Sequence, residues 1–468
     1  MSTTTGQTTR SLSRPPEAGR VPKRHARTIV VVLIGLVAAA AWYRTRIPGF
    51  RRHLSADTPE SFQMTSYFLS AAVGAPASRV GFFRASQVAA FEAAGGMIPA
   101  SRLDMRNVPG GADPPQALTR VDAGVAWVFH LASLFGFSLS IASICLFQLL
   151  ADLISLVLTA FLGFRLHSPL AGALAALLYA ANTQIPTTAL LVAYYFWSVP
   201  LALVITHLTL SFWRREWHYF GGTSLLALSF AAVWLRALWL PPLVLVFVGV
   251  WLLRGAFKWF TIGLCVLLAS YASLILRVRH QNLGDMLHTR SQLWHTLYIG
   301  LGTYGDWGQI QWLDEYAYGV AAAAGVLQSD PVSYERLFRD LFLHEVSHHP
   351  FRYCLLLVRR AGDYFDTPRA STLGLGRIGR RSIIGWLSIL LVVALFRAVQ
   401  ARGWEPLMVY CSGVATWCVF LPPIPIYTTE TLGVWPVIVA VFLVEGVQCA
   451  IGHRLVREAW KSGGGPSQ

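Results

Sequence analysis

The chain has 468 residues, of which 54% are hydrophobic and only 13% are charged. Its mean hydropathy is +0.50. Soluble domains usually carry about a quarter charged residues, so this composition excludes an ordinary soluble protein and predicts an integral membrane protein. The formal net charge of +15 comes largely from basic residues at the ends of apolar segments, where positive charge stays cytoplasmic. We therefore expect a lipid bilayer, and no nucleic acid, to face this charge.

The first apolar segment lies close to the start of the chain. Residues 1–27 are polar, rich in Ser and Thr, and strongly basic, which predicts a disordered cytoplasmic tail. Residues 28–43 are apolar, and no clear small-residue cleavage site follows them. We therefore expect an uncleaved first membrane span rather than a signal peptide.

Apolar segments of helical length recur along the rest of the chain, and a helix needs roughly 20 mostly apolar residues to cross a bilayer. The pattern predicts an all-α, polytopic membrane protein with about 10–11 transmembrane helices. Pro-rich stretches such as Pro241-Pro242 interrupt or end several of these segments. The predicted helices lie near residues 28–43, 117–136, 138–164, 168–183, 187–212, 220–236, 238–254, 257–279, 382–400, 405–421 and 431–452.

Two long segments, residues 44–116 and 280–381, are not apolar. They contain 15 of the 23 acidic residues, five in the first segment and ten in the second. Because carboxylates are costly inside a bilayer, we predict two large outer loops that share a water-facing site, although loops also tolerate charge without any function. The predicted domains are a cytoplasmic tail (1–27), an N-terminal transmembrane module (28–279) that includes the first outer loop (44–116), a second outer loop (280–381), C-terminal transmembrane helices (382–456) and a cytoplasmic tail (457–468).

Basic clusters predict the orientation of the chain. The stretches WRREW (213–217) and RGAFK (254–258) are typical of cytoplasmic turns, which places the N-terminus inside and both polar loops outside. Seven predicted helices lie between the two loops, whereas an even number is required. We therefore expect the segment 117–136 to be re-entrant or fused to its neighbour.

The stretch 344–348, His-Glu-Val-Ser-His, matches the H-E-x-x-H pattern of zinc proteases. Pro350 would end such a helix almost at once, and no third ligand follows at the usual spacing. We therefore predict no metal site here. Instead, the pattern favours an amphipathic surface helix, with a second amphipathic helix over residues 348–365 lying on the membrane. The apolar side of the first helix is predicted to carry Leu337, Phe338, Leu341 and Val346.

An ordered series of motifs covers the first half of the chain. SADTPESFQMTSYFLSAA follows the first span, and GGADPPQAL precedes an apolar segment that ends in HLASLFGFS. LFQLLADL, FRLHSPLAGALAALLYAAN and VWLRALWLPP follow in turn. In this order the motifs resemble the GT-C glycosyltransferases, in particular the bacterial branch similar to dolichyl-phosphate-mannose-dependent mannosyltransferases. The resemblance covers residues 28–260 and extends more loosely to residue 365.

The resemblance implies transfer of a hexose or pentose from a polyprenyl-phosphate-linked donor to a glycan, lipid or protein acceptor, on the outer face of a bacterial inner membrane. It implies inversion at the anomeric carbon, with a carboxylate of the first outer loop as general base, with or without a divalent metal ion. Asp57 matches this carboxylate, and Glu60 replaces the usual second acid. Alternatively, Asp57 is the N-cap of a helix with Pro59 in its first turn.

Further residues are predicted to bind the donor or the acceptor. Arg236, inside an apolar segment, is predicted to hold the lipid phosphate, with snorkelling towards an interface as the alternative. Residues 293–318 mix aromatic side chains with carboxylates, as saccharide sites do, although an interfacial aromatic belt has a similar composition. The predicted substrate-binding residues are Arg236, Asp104, Asp113, His295, Tyr298, Asp306, Asp314 and Glu315.

Two other functions compete with glycosyl transfer. A transporter or flippase for a lipid-linked saccharide would carry functional charges inside its helices, but it would not explain two acidic outer loops. A membrane metalloprotease would use the H-E-x-x-H stretch. The charges available to a transporter are Asp122, Asp152, Arg236 and Glu445.

Overall fold

The computed structural model describes residues 23–46, 82–83, 116–117, 123–137, 141–190, 196–213, 218–280, 293–326, 331–372, 383, 385–390, 393, 404–420 and 432–461. These residues form an all-α structure apart from one antiparallel pair of two-residue strands, β1 with β2. The elements are α1 (Lys23–Arg44), β1 (Phe82–Phe83), β2 (Gln116–Ala117), α2 (Ala123–Leu134), α3 (Ile141–Leu166), α4 (Pro169–Ala180), α5 (Gln184–Ala189), α6 (Ser198–Trp213), α7 (His218–Leu235), α8 (Leu240–Arg254), α9 (Phe257–His280), α10 (Leu293–Gly300), α11 (Asp314–Ala323), α12 (Pro331–His348), α13 (Pro350–Ser371), α14 (Trp404–Phe420) and α15 (Trp435–Lys461).

The predicted helices correspond closely to those observed, with three differences. The helix predicted over 431–452 continues in the structure to Lys461, the end of α15. The segment 187–212 covers two helices, the end of α5 and most of α6. Pro200 is the third residue of α6 and so lies in the first turn, where a helix tolerates proline. Of the segment 382–400, the structure describes residues 383, 385–390 and 393, all of them helical. The tandem prolines Pro241-Pro242 lie in the first turn of α8 and follow a 3₁₀ turn, Ala237–Trp239.

Within the described residues, two helical stretches are long and apolar enough to cross a bilayer, Ala142–Leu166 and Phe257–Leu274. Shorter apolar helices of 10–17 residues accompany them. These are Val30–Arg44, Pro169–Ala180, Ser198–Phe212, Phe220–Leu235, Leu240–Leu252, Pro406–Val419 and Trp435–Ile451.

The long helices run back and forth between two ends of one bundle. At one end, Arg44 donates a hydrogen bond to the carbonyl oxygen of Ala180, so the last residues of α1 and α4 meet there. At the other end, Arg165 of α3 donates to the hydroxyl of Ser211, near the end of α6. We call these two ends the Arg44 end and the Arg165 end.

Both ends of the short helix α2 lie towards the Arg44 end. Its first turn contains Gly124, whose Cα lies so close to the backbone of Leu235, the last residue of α7, that a side chain would collide with it. Phe137, just after α2, packs its ring on Phe147 in the second turn of α3, with the ring centroids 5.1 Å apart. That the segment 117–136 is re-entrant or fused to its neighbour stays a prediction.

The chain has a second hydrophobic core beside that of the bundle. It is formed by α10, α11, α12 and the start of α13, which we call the second-loop unit (residues 293–356). Phe338 is fully buried, and Leu337, Leu341 and Val346 are partly buried against it, which confirms the predicted amphipathic face. α12 ends at His348 and α13 begins at Pro350, as the proline predicts.

Candidate functional site

In the described part of the chain, three arginine side chains are buried. Arg44, Arg236 and Arg360 are only 2%, 3% and 2% exposed. Burying a charged side chain costs several kcal/mol unless hydrogen bonds or an opposite charge compensate for the loss of water. Each of these arginines therefore needs partners inside the protein.

Arg44, the last residue of α1, forms a buried ion pair with Asp152 of α3. Its Nε donates to Oδ2 of Asp152 at 3.0 Å, and its Nη1 donates to the carbonyl oxygen of Ala180 at 2.9 Å. The hydroxyl of Tyr179 donates to Oδ1 of Asp152 at 2.9 Å. Both carboxylate oxygens are therefore occupied, and the point at which the chain leaves α1 for the first outer loop is tied to α3 and α4.

Arg236 lies directly after α7, where the chain enters the 3₁₀ turn. Its N–H donates to the carbonyl oxygen of Ala232 at 2.9 Å, and its carbonyl oxygen accepts from the N–H of Trp239 at 2.9 Å. A snorkelling arginine extends along the protein surface to reach water. The 3% exposure of Arg236 instead places its guanidinium inside the protein, at the Arg44 end.

Arg360 of α13 connects the second-loop unit to the bundle. Its Nη2 donates to the carbonyl oxygen of Gly300 and to the hydroxyl of Thr303, the latter at 2.9 Å. Its Nη1 donates to the carbonyl oxygens of Cys418 and Val419 at 3.1 and 3.3 Å. These two carbonyls belong to the last turn of α14, where a helix leaves its acceptors without partners and attracts a cation. Burial lowers the pKa of the Arg360 guanidinium.

A polar cluster surrounds Arg359, the neighbour of Arg360, on the outer face of α13. Arg359 donates to Oδ2 of Asp306 at 2.6 Å, and both side chains are about half exposed. The guanidinium of Arg359 lies over the ring of Tyr304, 4.0 Å from its centroid. The Tyr304 hydroxyl donates to Oδ2 of Asp363 at 2.6 Å, and burial together with this carboxylate raises the pKa of Tyr304. The structure thus places Asp306 in an accessible cluster of hydrogen-bonding groups.

His295 and Tyr298 lie inside the second-loop unit. His295 is 1% exposed, with Nδ1 2.8 Å from the hydroxyl of Tyr334 and Nε2 3.1 Å from Oδ1 of Asp314. Tyr298 is buried against Phe338, and burial raises the pKa of its hydroxyl. Both side chains are buried, and His295 contacts one oxygen of Asp314, while substrate binding by His295 and Tyr298 stays a prediction.

Asp314 and Glu315 are the accessible carboxylates of the same unit. They are the first two residues of α11, where the helix dipole stabilises negative charge. The Asp314 side chain is 63% exposed, although one of its oxygens contacts His295. Of the predicted substrate-binding residues in the second loop, Asp306, Asp314 and Glu315 can therefore meet a ligand directly.

Several predicted residues lie outside the described part of the chain. These are Asp57, Glu60, Asp104, Asp113 and Asp122.

The H-E-x-x-H stretch lies on the surface, at the last turn of α12. His344 and His348 are exposed, with ring centroids 4.1 Å apart. Nδ1 of His348 lies 2.8 Å from the carbonyl oxygen of His344. In the described part of the chain, no group of three or more His, Cys, Asp or Glu side chains could hold a metal ion.

Sequence reasoning missed two of the three buried arginines. Arg44 ends a membrane-span pattern, where arginine is common, and Arg360 cannot be distinguished from Arg359 by composition. A signal for the ion pair did exist, because Asp152 is an acid inside an apolar helix and such acids are paired or functional. It pointed to a transport pathway, whereas the structure shows a pair with Arg44.

Comparison with known proteins gives one structural likeness. No family model matches the sequence, and no curated protein matches it. Among solved structures, the chain is similar to the archaeal oligosaccharyltransferase AglB from Archaeoglobus fulgidus, in complex with an inhibitory peptide and a dolichol-phosphate. The TM-score is 0.47 and the identity is 12%, over 93% of this chain and 52% of that chain. This chain therefore spans about half the length of the protein that it matches.

Proposed function

We propose that this chain is a polytopic membrane glycosyltransferase. It would transfer a sugar from a polyprenyl-phosphate-linked donor to a cell-envelope acceptor at the Arg44 end of its bundle, on the outer face of a bacterial inner membrane. Two lines of support come from the chain itself. One is the surface of the helix bundle, and the other is the position of buried cations and accessible carboxylates at the same end.

The observation that carries the membrane assignment is the inverted pattern of α3. Its exposed side carries large apolar residues, whereas four polar residues lie on its buried side among apolar ones such as Leu149 and Leu156. In water the opposite arrangement is stable, because apolar surface is driven inside. A bundle with this pattern is matched to a hydrocarbon solvent. The buried polar residues are Gln148, Asp152, Ser155 and Thr159, and the exposed apolar ones are Leu146, Leu150, Ile154, Val157, Phe161 and Phe164.

The distribution of charge supports an outer site at the Arg44 end. Basic residues of the predicted cytoplasmic turns, Arg254 and Lys258, belong to the Arg165 end of α8 and α9. The second-loop unit, with its carboxylates, is attached at the opposite end through Arg360. A lipid phosphate at the outer surface of the bilayer needs a cation at that depth, and Arg236 is buried at this end.

The proposed reaction assigns one role to each group. Asp57, or Glu60 in its place, takes the proton of the acceptor hydroxyl as its oxygen bonds to the anomeric carbon. The bond between that carbon and the phosphate oxygen breaks, and the polyprenyl phosphate leaves with its charge held by Arg236. Asp306, Asp314 and Glu315 accept hydrogen bonds from sugar hydroxyls. Attack opposite the leaving phosphate inverts the anomeric centre.

Replacing the proposed base is the direct test of the transfer reaction. Asp57→Asn should lower kcat by about 10²–10⁴-fold, the usual contribution of a general base. Arg236→Gln should lower kcat/KM by about 10- to 100-fold, because it removes charge-assisted hydrogen bonds worth about 1.5–3 kcal/mol. Transfer would be measured from a pool of polyprenyl-phosphate sugars to cell-envelope glycans, at equal amounts of folded protein.

The exposed acid Asp340 provides the matched control, since Asp340→Asn removes a carboxylate of α12 outside the proposed site. If Asp57→Asn kept full transfer, the base would move to Glu60, Asp104 or Asp113. If the unaltered protein transferred no sugar from any donor, the transporter would become the better proposal. The buried ion pair of Asp152 weighs against that alternative, because both of its carboxylate oxygens are occupied.

The metalloprotease alternative has its own test. We expect His344→Ala to leave both sugar transfer and the zinc content of the purified protein unchanged, because the two exposed histidines have no third ligand among the described residues. Zinc would be measured by atomic emission in detergent-purified protein. If the unaltered protein contained stoichiometric zinc and His344→Ala lacked it, the prediction would be wrong and the metalloprotease would become the better proposal.

A further inference from the structure

One face of α13 presents an uninterrupted apolar surface outside both hydrophobic cores. Phe351 is 90% exposed and Leu355 is 66% exposed. Cys354 and Val358 are exposed as well. The four residues follow the spacing of a single helical stripe, i, i+3, i+4 and i+7. We call this stripe the α13 apolar face. The sequence predicts an amphipathic helix over residues 348–365 that lies on the membrane, but periodicity does not decide which residues remain exposed for that contact.

The rest of α13 is already occupied by the protein. Leu356 is buried in the core of the second-loop unit, and Arg360 is bound to that unit and to α14. Arg352 and Arg359 lie along one edge of the apolar face. The guanidinium of Arg352 lies 5.3 Å from the ring centroid of Trp307, and that of Arg359 lies 4.0 Å from the centroid of Tyr304. The apolar face is therefore bordered by basic and aromatic side chains, as interfacial membrane helices are.

The α13 apolar face also adjoins an apolar helical segment of the bundle. The indole N–H of Trp386 donates to the carbonyl oxygen of Val358 at 2.8 Å, which joins the helical segment 385–390 to α13. The neighbouring Ile383, Leu387 and Leu390 are exposed on this segment, again at the spacing of one helical stripe. Trp386 thus brings this segment against the Val358 end of the α13 apolar face.

We propose that the α13 apolar face lies in the outer leaflet of the bilayer, at the boundary between head groups and acyl chains. Lipid that covers the exposed Leu387 and Leu390 would also cover this neighbouring face. Its anionic head groups would complement Arg352 and Arg359. This inference rests on the membrane insertion of the proposed function but not on sugar transfer. It means that the second-loop unit is held at the bilayer surface at two points, by Arg360 on the bundle and by this face on lipid. Its carboxylates would then stay at the depth of a lipid-linked phosphate.

Two native cysteines allow a direct test. Cys354 lies on the α13 apolar face, and Cys265 is exposed on α9, within the apolar stretch Phe257–Leu274. Full-length chains would each carry one nitroxide label, at Cys354, at Cys265 or at Asp340→Cys, with the remaining cysteines changed to alanine. In nanodiscs of phosphatidylethanolamine and phosphatidylglycerol, power saturation compares collisions with oxygen, which concentrates in lipid, and with a water-soluble nickel chelate.

We expect the ratio of oxygen to nickel collisions at Cys354 to be several-fold above that at Asp340→Cys and to approach that at Cys265. A Cys354 ratio equal to that of Asp340→Cys, with a lipid-like value at Cys265, would overturn this inference and leave the membrane proposal intact. Shielding of Cys354 from both reagents would also overturn it, because a protein surface would then cover the face. A water-like value at Cys265 would refute membrane insertion itself. If the alanine changes prevent folding, a chain that keeps Cys145, Cys411 and Cys418, with the label site verified by mass spectrometry, gives the same comparison.

Discussion

Asp152→Leu should destabilise the folded protein by about 3–5 kcal/mol, the usual cost of removing one partner from a buried ion pair. The change leaves the Arg44 guanidinium buried without its carboxylate, and it also removes the acceptor of the Tyr179 hydroxyl. The free energy of unfolding would be measured by titration with a denaturing detergent, with helicity as the signal.

The double variant Arg44→Met with Asp152→Leu is the decisive control. Replacing both charges by apolar side chains of similar size is often neutral or stabilising, so the double variant should recover most of the loss. The exposed acid Asp340, changed to leucine, should cost at most about 1 kcal/mol. If the double variant were as unstable as Asp152→Leu, the loss would come from packing of α3 and not from an unpaired charge.

Arg360→Met should release the second-loop unit from the bundle. The change removes a cation that donates to four acceptors, two on the second-loop unit and two in the last turn of α14. A hydrogen bond to a charged group contributes about 1.5–3 kcal/mol, so the loss of four, with buried carbonyls left unpaired, should cost more than about 3 kcal/mol. Hydrogen exchange should therefore become faster at the amides of α10 and at the end of α14, while those of α3 remain protected.

The adjacent Arg359 gives a control with the same chemistry on the same helix. Its pair with Asp306 is about half exposed on both sides, so Arg359→Met should change stability by about 0–1 kcal/mol. Arg360→Lys should restore only part of the protection. An ammonium is a single point charge, whereas the planar guanidinium spans acceptors on two elements. If amide hydrogen exchange in α10 and α14 were equally fast in the Arg359 and Arg360 variants, Arg360 would not be the residue that connects the second-loop unit to the bundle.

The sequence by itself determined the elements whose causes are local. Most of the apolar segments predict the bounds of the bundle helices to within a few residues, because a continuous apolar run of this length favours a helix. Pro350 predicts the break between α12 and α13, since proline cannot continue the hydrogen-bond ladder. The spacing of Leu337, Phe338 and Leu341 predicts which side of α12 is buried.

Only the tertiary structure decided how the charged groups are used. Arg359 and Arg360 are identical neighbours in sequence, yet one pairs with Asp306 at the surface and the other is buried against α14, because the docking of α13 selects the face. His295 is buried against Tyr334, a residue of a helix 39 positions further along the chain. Arg44 and Asp152 are 108 residues apart, and no local pattern couples them. Helical periodicity sets the face on which a residue lies, but only packing between helices determines what that face meets.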